Sequence, residues 1–293
     1  MGPRGTPGRP PTRLVALDLD GTVIDRDGAL SERVREAVQA VERSGREIVI
    51  ATGRSVVATL PVLDQLGLLH GYAVTSNGAV TIRLDPTLPD GYDVVDAVVF
   101  DPAPALRVLR EQLPNAVYAV EDLGLGFRLT APFPDGELIG EMTVTPFENL
   151  LSEPVTRVVV RSPEHTPEQF LEIVERLGLH GGSYTVGWTA WLDIAPEGVS
   201  KAHGLQLVAA RLGIDATEVL AVGDGRNDLE MFAWAGHAVA MGQAPVEVAE
   251  AADAVVATVD EDGLADVLEP LVGLDDPAPA AGRSEDDDEH PHA

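Results

Sequence analysis

The sequence contains no cysteine, and this absence excludes three kinds of chemistry. A chain without thiols forms no disulfide bond, holds no metal through thiolates and uses no cysteine nucleophile. The chain also lacks an uncharged apolar run of the roughly 18 residues that a membrane helix requires, and its first twelve residues contain no apolar signal segment. These absences predict a soluble, cytoplasmic protein without a membrane partner.

Basic residues are scarce, and lysine is almost missing. The chain has 20 lysines and arginines against 48 acidic residues, which gives a formal charge of -28. An acidic surface repels the phosphates of nucleic acids and of anionic lipids, so we expect no nucleic acid partner and favour small molecules and cations as ligands. Lys201 is the only lysine. Because arginine takes every other lysine-or-arginine position, a specific role is expected for Lys201.

The length of 293 residues is about twice that of a usual domain, and the hydrophobic content of 45% is enough to bury substantial cores. Both ends differ from the rest, because Gly, Pro and Arg dominate the start and acidic residues dominate the tail. We predict disordered ends at residues 1–12 and 275–293, a discontinuous core at residues 13–83 and 196–274, and an inserted cap domain at residues 84–195.

Short β-branched runs alternate with helical patterns in both core segments, as in the strand candidate Leu14–Leu19 and the helix candidate Ser31–Arg43. This alternation predicts an α/β fold with a Rossmann-like, doubly wound parallel sheet, whose ligand crevice lies at the carboxyl ends of the strands. The middle segment has strand candidates at 94–100 and 191–194 around helical patterns, with Pro and Gly at its borders. It is therefore predicted to be an inserted α+β domain.

Two aspartates, Asp18 and Asp20, close the first predicted strand. Because side chains alternate along a strand, both can face the crevice. Paired carboxylates at a strand end suit a nucleophile or metal ligand beside a general acid and base, and Gly21 permits the sharp exit. An Asp-Gly turn exposed to solvent is the alternative explanation of this motif when it is taken alone.

Four segments resemble the motifs of the haloacid dehalogenase-like phosphohydrolases, and the resemblance extends over nearly the whole body of the chain. In order, the segments are Asp18-Leu19-Asp20-Gly21-Thr22, Thr52 at the end of the second strand, Gly198-Val199-Ser200-Lys201, and Gly223-Asp224-Gly225-Arg226-Asn227-Asp228. The runs Ser76-Asn77-Gly78-Ala79 and Ala240-Met241-Gly242 are similar to those of the Cof-like branch. That branch has an α+β cap inserted after its third core strand, which agrees with the change of texture near residue 84.

The resemblance implies a role for each matched residue. Asp18 takes the position of the nucleophile and Asp20 that of the general acid and base, with Thr52 and Lys201 as further catalytic residues. The implied phosphate-binding groups are the Thr52 hydroxyl, the backbone amides of Leu19 and Gly53, and the side chains of Lys201 and Asn227. The candidate metal residues are Asp18, Asp20, Asp224 and Asp228, and Asp228 either binds the metal directly or supports a ligand.

Four carboxylates at one crevice cannot all ionise unaided, because like charges raise one another's pKa. With Asp20 protonated as the acid, the other three carboxylates, one divalent cation and Lys201 sum to zero charge. Oxygen ligands and the absence of cysteine favour Mg²⁺ over zinc. The sequence therefore predicts Mg²⁺ as the cofactor.

These features predict a Mg²⁺-dependent phosphomonoester hydrolase that acts on a small phosphorylated metabolite, such as a sugar phosphate, through an aspartyl-phosphate intermediate. Two alternatives stay open, a phosphomutase that uses the same intermediate and a non-catalytic metabolite-binding protein. The identity of the metabolite and the oligomeric state do not follow from the sequence. Four more side chains are candidates of a weaker kind: Arg54 for a substrate anion, Trp188 and Trp191 for a sugar ring or the cap core, and His203 for a structural or exposed position.

Overall fold

The structure, a computed structural model, describes residues 11–134, 136–177 and 190–272, together with the backbone of residues 182–186. The predictions made for residues 1–10, for the tail from residue 275 and for Trp188 lie outside the described residues. Among the described helices, none is long and apolar enough to cross a membrane.

Strands and helices of the described residues fall into two groups along the chain. The strands are β1 (Leu14–Leu17), β2 (Glu47–Ala51), β3 (Gly71–Thr75), β4 (Val80–Leu84), β5 (Tyr92–Ala97), β6 (Val117–Asp122), β7 (Gly126–Leu129), β8 (Glu141–Val144), β9 (Val158–Arg161), β10 (Gly182–Val186), β11 (Trp191–Pro196), β12 (Val219–Gly223), β13 (His237–Ala240) and β14 (Ala254–Val255). The α-helices are α1 (Glu32–Arg43), α2 (Val56–Leu66), α3 (Ala103–Gln112), α4 (Pro167–Leu177), α5 (Lys201–Leu212), α6 (Leu229–Trp234), α7 (Val246–Ala251) and α8 (Gly263–Leu268).

The larger sheet has eight strands in the order β14-β13-β12-β1-β2-β3-β4-β5. The strands from β14 to β3 pair in parallel, whereas β4 and β5 are antiparallel additions at one edge. Order and direction confirm the predicted α/β fold with a doubly wound parallel sheet.

The central strand β1 is buried on both faces of this sheet. Val15 and Leu17 belong to the apolar cluster that includes residues of α1, α2 and α8. Leu14 and Ala16 belong to the cluster that includes residues of α5, α6 and α7. Because successive side chains enter different clusters, the strand is apolar throughout, as expected for a parallel strand covered by helices on both sides.

The smaller sheet has six strands in the order β10-β11-β9-β6-β7-β8 and lies between β5 and α5 in the sequence. Helices α3 and α4 pack on it through Leu106, Leu109, Phe170 and Val174. Its pairings are antiparallel except for β7 with β8. We call this unit the cap.

The strand predicted at 94–100 does not belong to the cap. Tyr92–Ala97 forms β5, which pairs with β4 at the edge of the larger sheet, so the sequence of the cap begins later than the predicted residue 84. The reason lies in the exposure of β5, whose residues are all half-buried or exposed. An edge strand of this kind lacks the continuous apolar run of the buried parallel strands. Its mixture of apolar and polar residues resembles that of an α+β segment.

Candidate active site

A cleft of about 400 Å³ lies at the carboxyl ends of β1 and β12, and residues of the cap form its other side. Asp18 directly follows β1 and Asp224 directly follows β12, and these two neighbouring strands pair with Leu17 opposite Val222. Asp228 ends a short 3₁₀ turn that begins at Arg226. The parallel pairing thus brings together carboxylates that are more than 200 positions apart in the sequence.

Asp18, Asp224 and Asp228 form one buried carboxylate cluster, in which one oxygen from each residue lies within 4.8 Å of the others. Asp228 is the most enclosed member, because its Oδ2 accepts hydrogen bonds from the backbone amides of Asp224 at 3.0 Å and Gly225 at 2.8 Å. Asp18 and Asp224 line the cleft, whereas Asp228 does not. The cluster therefore presents two carboxylates to the cleft and supports them with a third.

Lys201 is fully buried and bridges two members of the carboxylate cluster. Its Nζ donates hydrogen bonds to Asp18 Oδ1 at 2.5 Å and to Asp228 Oδ1 at 2.6 Å. The preceding residue, Ser200, is held against Gly78, where a Cβ would lie 1.9 Å from the Ser200 carbonyl oxygen. Only glycine permits this approach, which fixes the start of α5 and with it the position of Lys201.

The electrostatics of the cluster follow from its burial. Burial and the charge of Asp228 raise the pKa of Asp18 to about 7, against the attraction of Lys201. Burial and the charge of Asp18 raise the pKa of Asp224 to about 6. Burial alone would lower the pKa of Lys201, but the attraction of Asp18 and Asp228 raises it above its usual value. One ammonium thus lies among three buried carboxylates, whose like charges raise one another's pKa.

Asp224 approaches the first motif closely at Gly21. The φ of Gly21 is +85°, and a Cβ there would lie 2.3 Å from Asp224 Oδ2. The same oxygen accepts a hydrogen bond from Gln243 Nε2 at 3.1 Å. The sequence analysis missed Gln243, although this residue directly follows the Ala240-Met241-Gly242 run.

Asp20 lies outside the carboxylate cluster, in contrast to the prediction that grouped it with the metal residues. Its two carboxylate oxygens accept hydrogen bonds from Arg54, with Nε at 2.9 Å from Oδ2 and Nη2 at 2.6 Å from Oδ1. The physical reason is that the guanidinium of Arg54 attracts both oxygens of Asp20, whereas the three carboxylates of the cluster would repel a fourth. Both residues line the cleft. The structure therefore pairs the predicted acid and base with the predicted anion-binding arginine.

The predicted phosphate-binding residues meet around Asn77. Asn77 Oδ1 accepts a hydrogen bond from Asn227 Nδ2 at 3.0 Å, and its backbone amide donates to the Thr52 carbonyl at 3.0 Å. A Cβ on Gly53 would lie 3.1 Å from the same Asn77 oxygen. Thr52 and Leu19 are fully buried, and the side chain of Leu19 packs in the apolar core.

Asn77 itself was not predicted as a site residue, although the sequence analysis included it in the Ser76-Asn77-Gly78-Ala79 run. It adopts the left-handed conformation, with φ 52° and ψ 35°. Asparagine tolerates this region better than most side chains. The local signal was therefore an asparagine and a glycine directly after a buried strand.

The comparisons with known proteins agree with this arrangement. The model of the haloacid dehalogenase-like hydrolase family matches residues 15–89 and 137–268. The chain belongs to this family. The match confirms the resemblance that the motifs suggested and the expectation of an enzyme.

Relatives of this hydrolase align over almost their full length. YxeH of Bacillus subtilis is 30% identical over 284 residues, covering 89% of this chain and 98% of the relative. A second relative from that organism, named 5-amino-6-(5-phospho-D-ribitylamino)uracil phosphatase YitU, is 29% identical over 276 residues with the same coverage. The solved structure of BT1666 from Bacteroides thetaiotaomicron, whose title places it among phosphatases of this superfamily, has a TM-score of 0.72 and 27% identity, covering 92% of this chain and 98% of that chain. These names support the expected phosphatase activity.

The cap side of the cleft of this hydrolase is lined by aromatic, apolar and charged side chains. These include Phe127, Glu137, Arg157, Trp191 and Asp193. Trp191 lies edge-on to the ring of Phe133, with 5.7 Å between the ring centroids. Trp191 therefore packs within the cap and also reaches the cleft, which joins the two interpretations of this residue that the sequence left open.

His203 does not line the cleft. It lies on α5 with its Nε2 at 4.0 Å from Asp96 Oδ2, and 41% of its side chain is exposed. The position agrees with the structural or exposed role expected from the sequence.

Proposed function

We propose that this hydrolase is a Mg²⁺-dependent phosphomonoesterase that acts on a small phosphorylated metabolite. The observation that carries the proposal is the position of Asp18, which lines the cleft, contacts buried Lys201 and belongs to a cluster with Asp224 and Asp228. A relative whose name describes it as the phosphatase of a ribitylaminouracil phosphate supports the substrate class.

The residues of the cluster fit a magnesium ion. Three carboxylates with oxygens within 4.8 Å of one another offer the hard oxygen ligands that Mg²⁺ prefers. Burial and the charge of a neighbouring carboxylate raise the pKa values of Asp18 and Asp224, and a bound cation would offset that repulsion. Asp18 and Asp224 would hold the ion, with Asp228 beside them, and the bound ion would neutralise charge on the transferring phosphoryl group.

In the proposed reaction, a carboxylate oxygen of Asp18 attacks phosphorus and forms an aspartyl-phosphate, while the bond from phosphorus to the substrate oxygen breaks. Asp20 donates a proton to that leaving oxygen and then takes a proton from the water that hydrolyses the intermediate. Hydrolysis releases inorganic phosphate and restores the Asp18 carboxylate. Arg54 holds both oxygens of Asp20 in the present geometry, so proton donation requires Arg54 to release one of them.

The phosphoryl oxygens would be held by groups that the fold fixes before the substrate arrives. The candidates are Lys201, the Asn227 side chain, the Thr52 hydroxyl and the backbone amides of Leu19 and Gly53. Lys201 is immobilised by two carboxylates, and Asn227 is oriented by Asn77. Donors that need no reorganisation during the reaction stabilise the transition state most effectively.

The test measures phosphate release from a panel of phosphorylated metabolites, first with Mg²⁺, then after chelation, then with Mg²⁺ restored. We expect chelation to stop turnover and added Mg²⁺ to recover it, with Ca²⁺ a poor substitute because it adopts looser and higher coordination. Full activity after chelation would contradict the metal assignment. Formation of an isomer without free phosphate would show a phosphomutase instead.

A further inference from the structure

Three cap residues form a connected group at the side of the cleft that faces the carboxylate cluster. Arg157 Nε donates a hydrogen bond to Asp193 Oδ1 at 2.6 Å, and Trp191 Nε1 donates to Asp193 Oδ2 at 2.8 Å. The side chains of Arg157 and Asp193 are only 8% and 15% exposed. Asp193 therefore uses both of its oxygens within the cap, and it neutralises the guanidinium of Arg157 there.

Each arginine among the described residues that line the cleft is paired with a carboxylate. Arg54 pairs with Asp20 at 2.6 Å, Arg157 with Asp193 at 2.6 Å and Arg226 with Glu247 at 2.5 Å. Lys201 lies behind Asp18 and is itself shared between two aspartates. The described lining thus offers no unpaired guanidinium to a second anionic group on the substrate.

The cap side of the cleft also presents a hydrogen-bond acceptor and two aromatic rings. Glu137 lines the cleft, and its Oε2 is buried without a hydrogen-bond partner among the described residues, while its Oε1 accepts from Arg161 Nε at 3.3 Å. An unpaired buried acceptor is stabilised by a donor such as a hydroxyl group. Phe127 and Trp191 add ring surfaces against which the apolar face of a sugar or polyol packs.

We propose that the cap selects phosphomonoesters whose leaving group is uncharged and hydroxylated, and that Asp193 sets this selectivity by neutralising Arg157. The inference rests on the proposed phosphatase function and specifies its substrate class. A carboxylate or second phosphate on the leaving group would lose its hydration and meet Asp193 and Glu137 without an available cation. A hydroxylated group instead finds the unpaired oxygen of Glu137 and the ring surfaces of Phe127 and Trp191.

The first experiment compares matched substrates on the wild-type enzyme with Mg²⁺. The pairs are an aldose 6-phosphate with its aldonic acid 6-phosphate, and glycerol 3-phosphate with 3-phosphoglycerate. For each pair that the enzyme hydrolyses, we expect kcat/KM to be at least about tenfold higher for the member without a carboxylate. The carboxylate of the other member would face the cap carboxylates, and like charges oppose binding. Equal values, or a preference for the acid, would overturn the inference while leaving the phosphatase function intact. If no compound of the wider panel released phosphate, the proposed function itself would fail, and this inference with it.

The second experiment changes the neutralising carboxylate. Asp193→Asn keeps the shape of the side chain but leaves the charge of Arg157 unbalanced, so the preference for the uncharged member should fall at least about tenfold, chiefly through a lower KM for the acid. A variant that weakens both substrates equally would show that Asp193 has only a structural role.

Two further variants control this experiment. Glu247→Gln also removes a carboxylate from a cleft arginine, but that pair is about half exposed, with Arg226 at 55% and Glu247 at 48%, so solvent screens the change and the preference should stay within about twofold of wild type. Arg157→Gln combined with Asp193→Asn should restore the preference. If Asp193→Asn does not fold, Arg157→Gln alone serves as the test, because it should retain the preference, whereas a switch towards the acid would contradict the inference.

Discussion

The two sides of the cleft use the same kinds of side chain in opposite ways. On the side of the larger sheet, three buried carboxylates share the one ammonium of Lys201. On the cap side, Arg157 and Asp193 form a pair in which each charge has its own partner. An excess of negative charge suits a site that takes up a cation, whereas a balanced pair shapes a pocket without attracting ions. The two sides therefore differ in the ratio of their charges more than in the number of charged groups.

The pKa shifts follow this contrast. Burial raises the pKa of Asp18 to about 7 and that of Asp224 to about 6, and a neighbouring carboxylate adds to each shift. Burial alone would lower the pKa of Arg157, but the attraction of Asp193 and the hydrogen bond that Arg157 donates to it raise the pKa. The charges of the cap pair therefore balance each other, whereas the three carboxylates of the cluster have one ammonium between them.

Removal of the proposed nucleophile, Asp18, should have the largest effect on turnover. Asp18→Asn should lower turnover by at least about 10,000-fold, because an amide cannot attack phosphorus and the losses found for catalytic nucleophiles are of this order. Phosphate release measures the effect, and thermal unfolding checks that the fold is retained. The matched control is Asp27→Asn, the same change on an exposed turn that follows the motif. Steady turnover by a verified Asp18→Asn sample would contradict the covalent mechanism.

Lys201 tests how strictly the carboxylate side depends on a compact cation. Lys201→Met should reduce kcat roughly 100-fold or more, the loss that follows removal of one preorganised donor to a transition-state oxyanion. Lys201→Arg should not restore activity, because the fully buried ammonium fits between Asp18 and Asp228 and a planar guanidinium has a different shape. An arginine variant within about threefold of wild type would show that charge alone is enough.

The sequence predicted the carboxylate side of the cleft far better than the cap side. Asp18 and Asp224 each follow a buried parallel strand, and such strands deliver their ends to one crevice whatever the details of the loops. Lys201 stood out because the chain has no other lysine. The pairing of Asp20 with Arg54 was not predicted, because alternation along a strand says nothing about a competing partner.

On the cap side, the sequence singled out Trp191 but not its partners Arg157 and Asp193. This group depends on the antiparallel pairing of β9 with β11, in which Val159 lies opposite Asp193. Register between strands so far apart in sequence is set by packing of the whole cap, and a shift of one residue would turn Asp193 to the other face. The edge strand β5 was assigned to the cap for a related reason. Its composition resembles that of the cap, but its partner strand, β4, belongs to the larger sheet.

The two sides of the cleft are joined by Glu121, a cap residue that is only 3% exposed. Its Oε2 accepts hydrogen bonds from Ser76 Oγ of the larger sheet at 2.7 Å and from Thr156 Oγ1 of the cap at 3.1 Å, while Oε1 has no partner among the described residues. Burial raises the pKa of Glu121, against the attraction of Arg157 and the hydrogen bonds from Ser76 and Thr156, and the charge of Asp193 raises it further. Glu121 therefore couples the cap to the loop that contains Asn77.

Substitution of this link should have the smallest effect, and its sign depends on pH. Because the pKa of Glu121 is raised in the folded protein, its contribution to stability is fully present below its usual pKa of 4.5 and is lost as pH rises through the raised value. Glu121→Gln keeps an acceptor for Ser76 and Thr156 but does not titrate. The melting temperature of the variant, compared with wild type, should therefore rise with pH by about 1–3 °C, which corresponds to a change below about 1 kcal/mol. Asp18 and Asp224 titrate in both proteins, so their effects cancel in the difference, and Glu141→Gln on an exposed strand should show no such trend. A difference that stays constant across the pH range would mean that the pKa of Glu121 is the same in the folded and the unfolded protein, which would contradict the raised pKa.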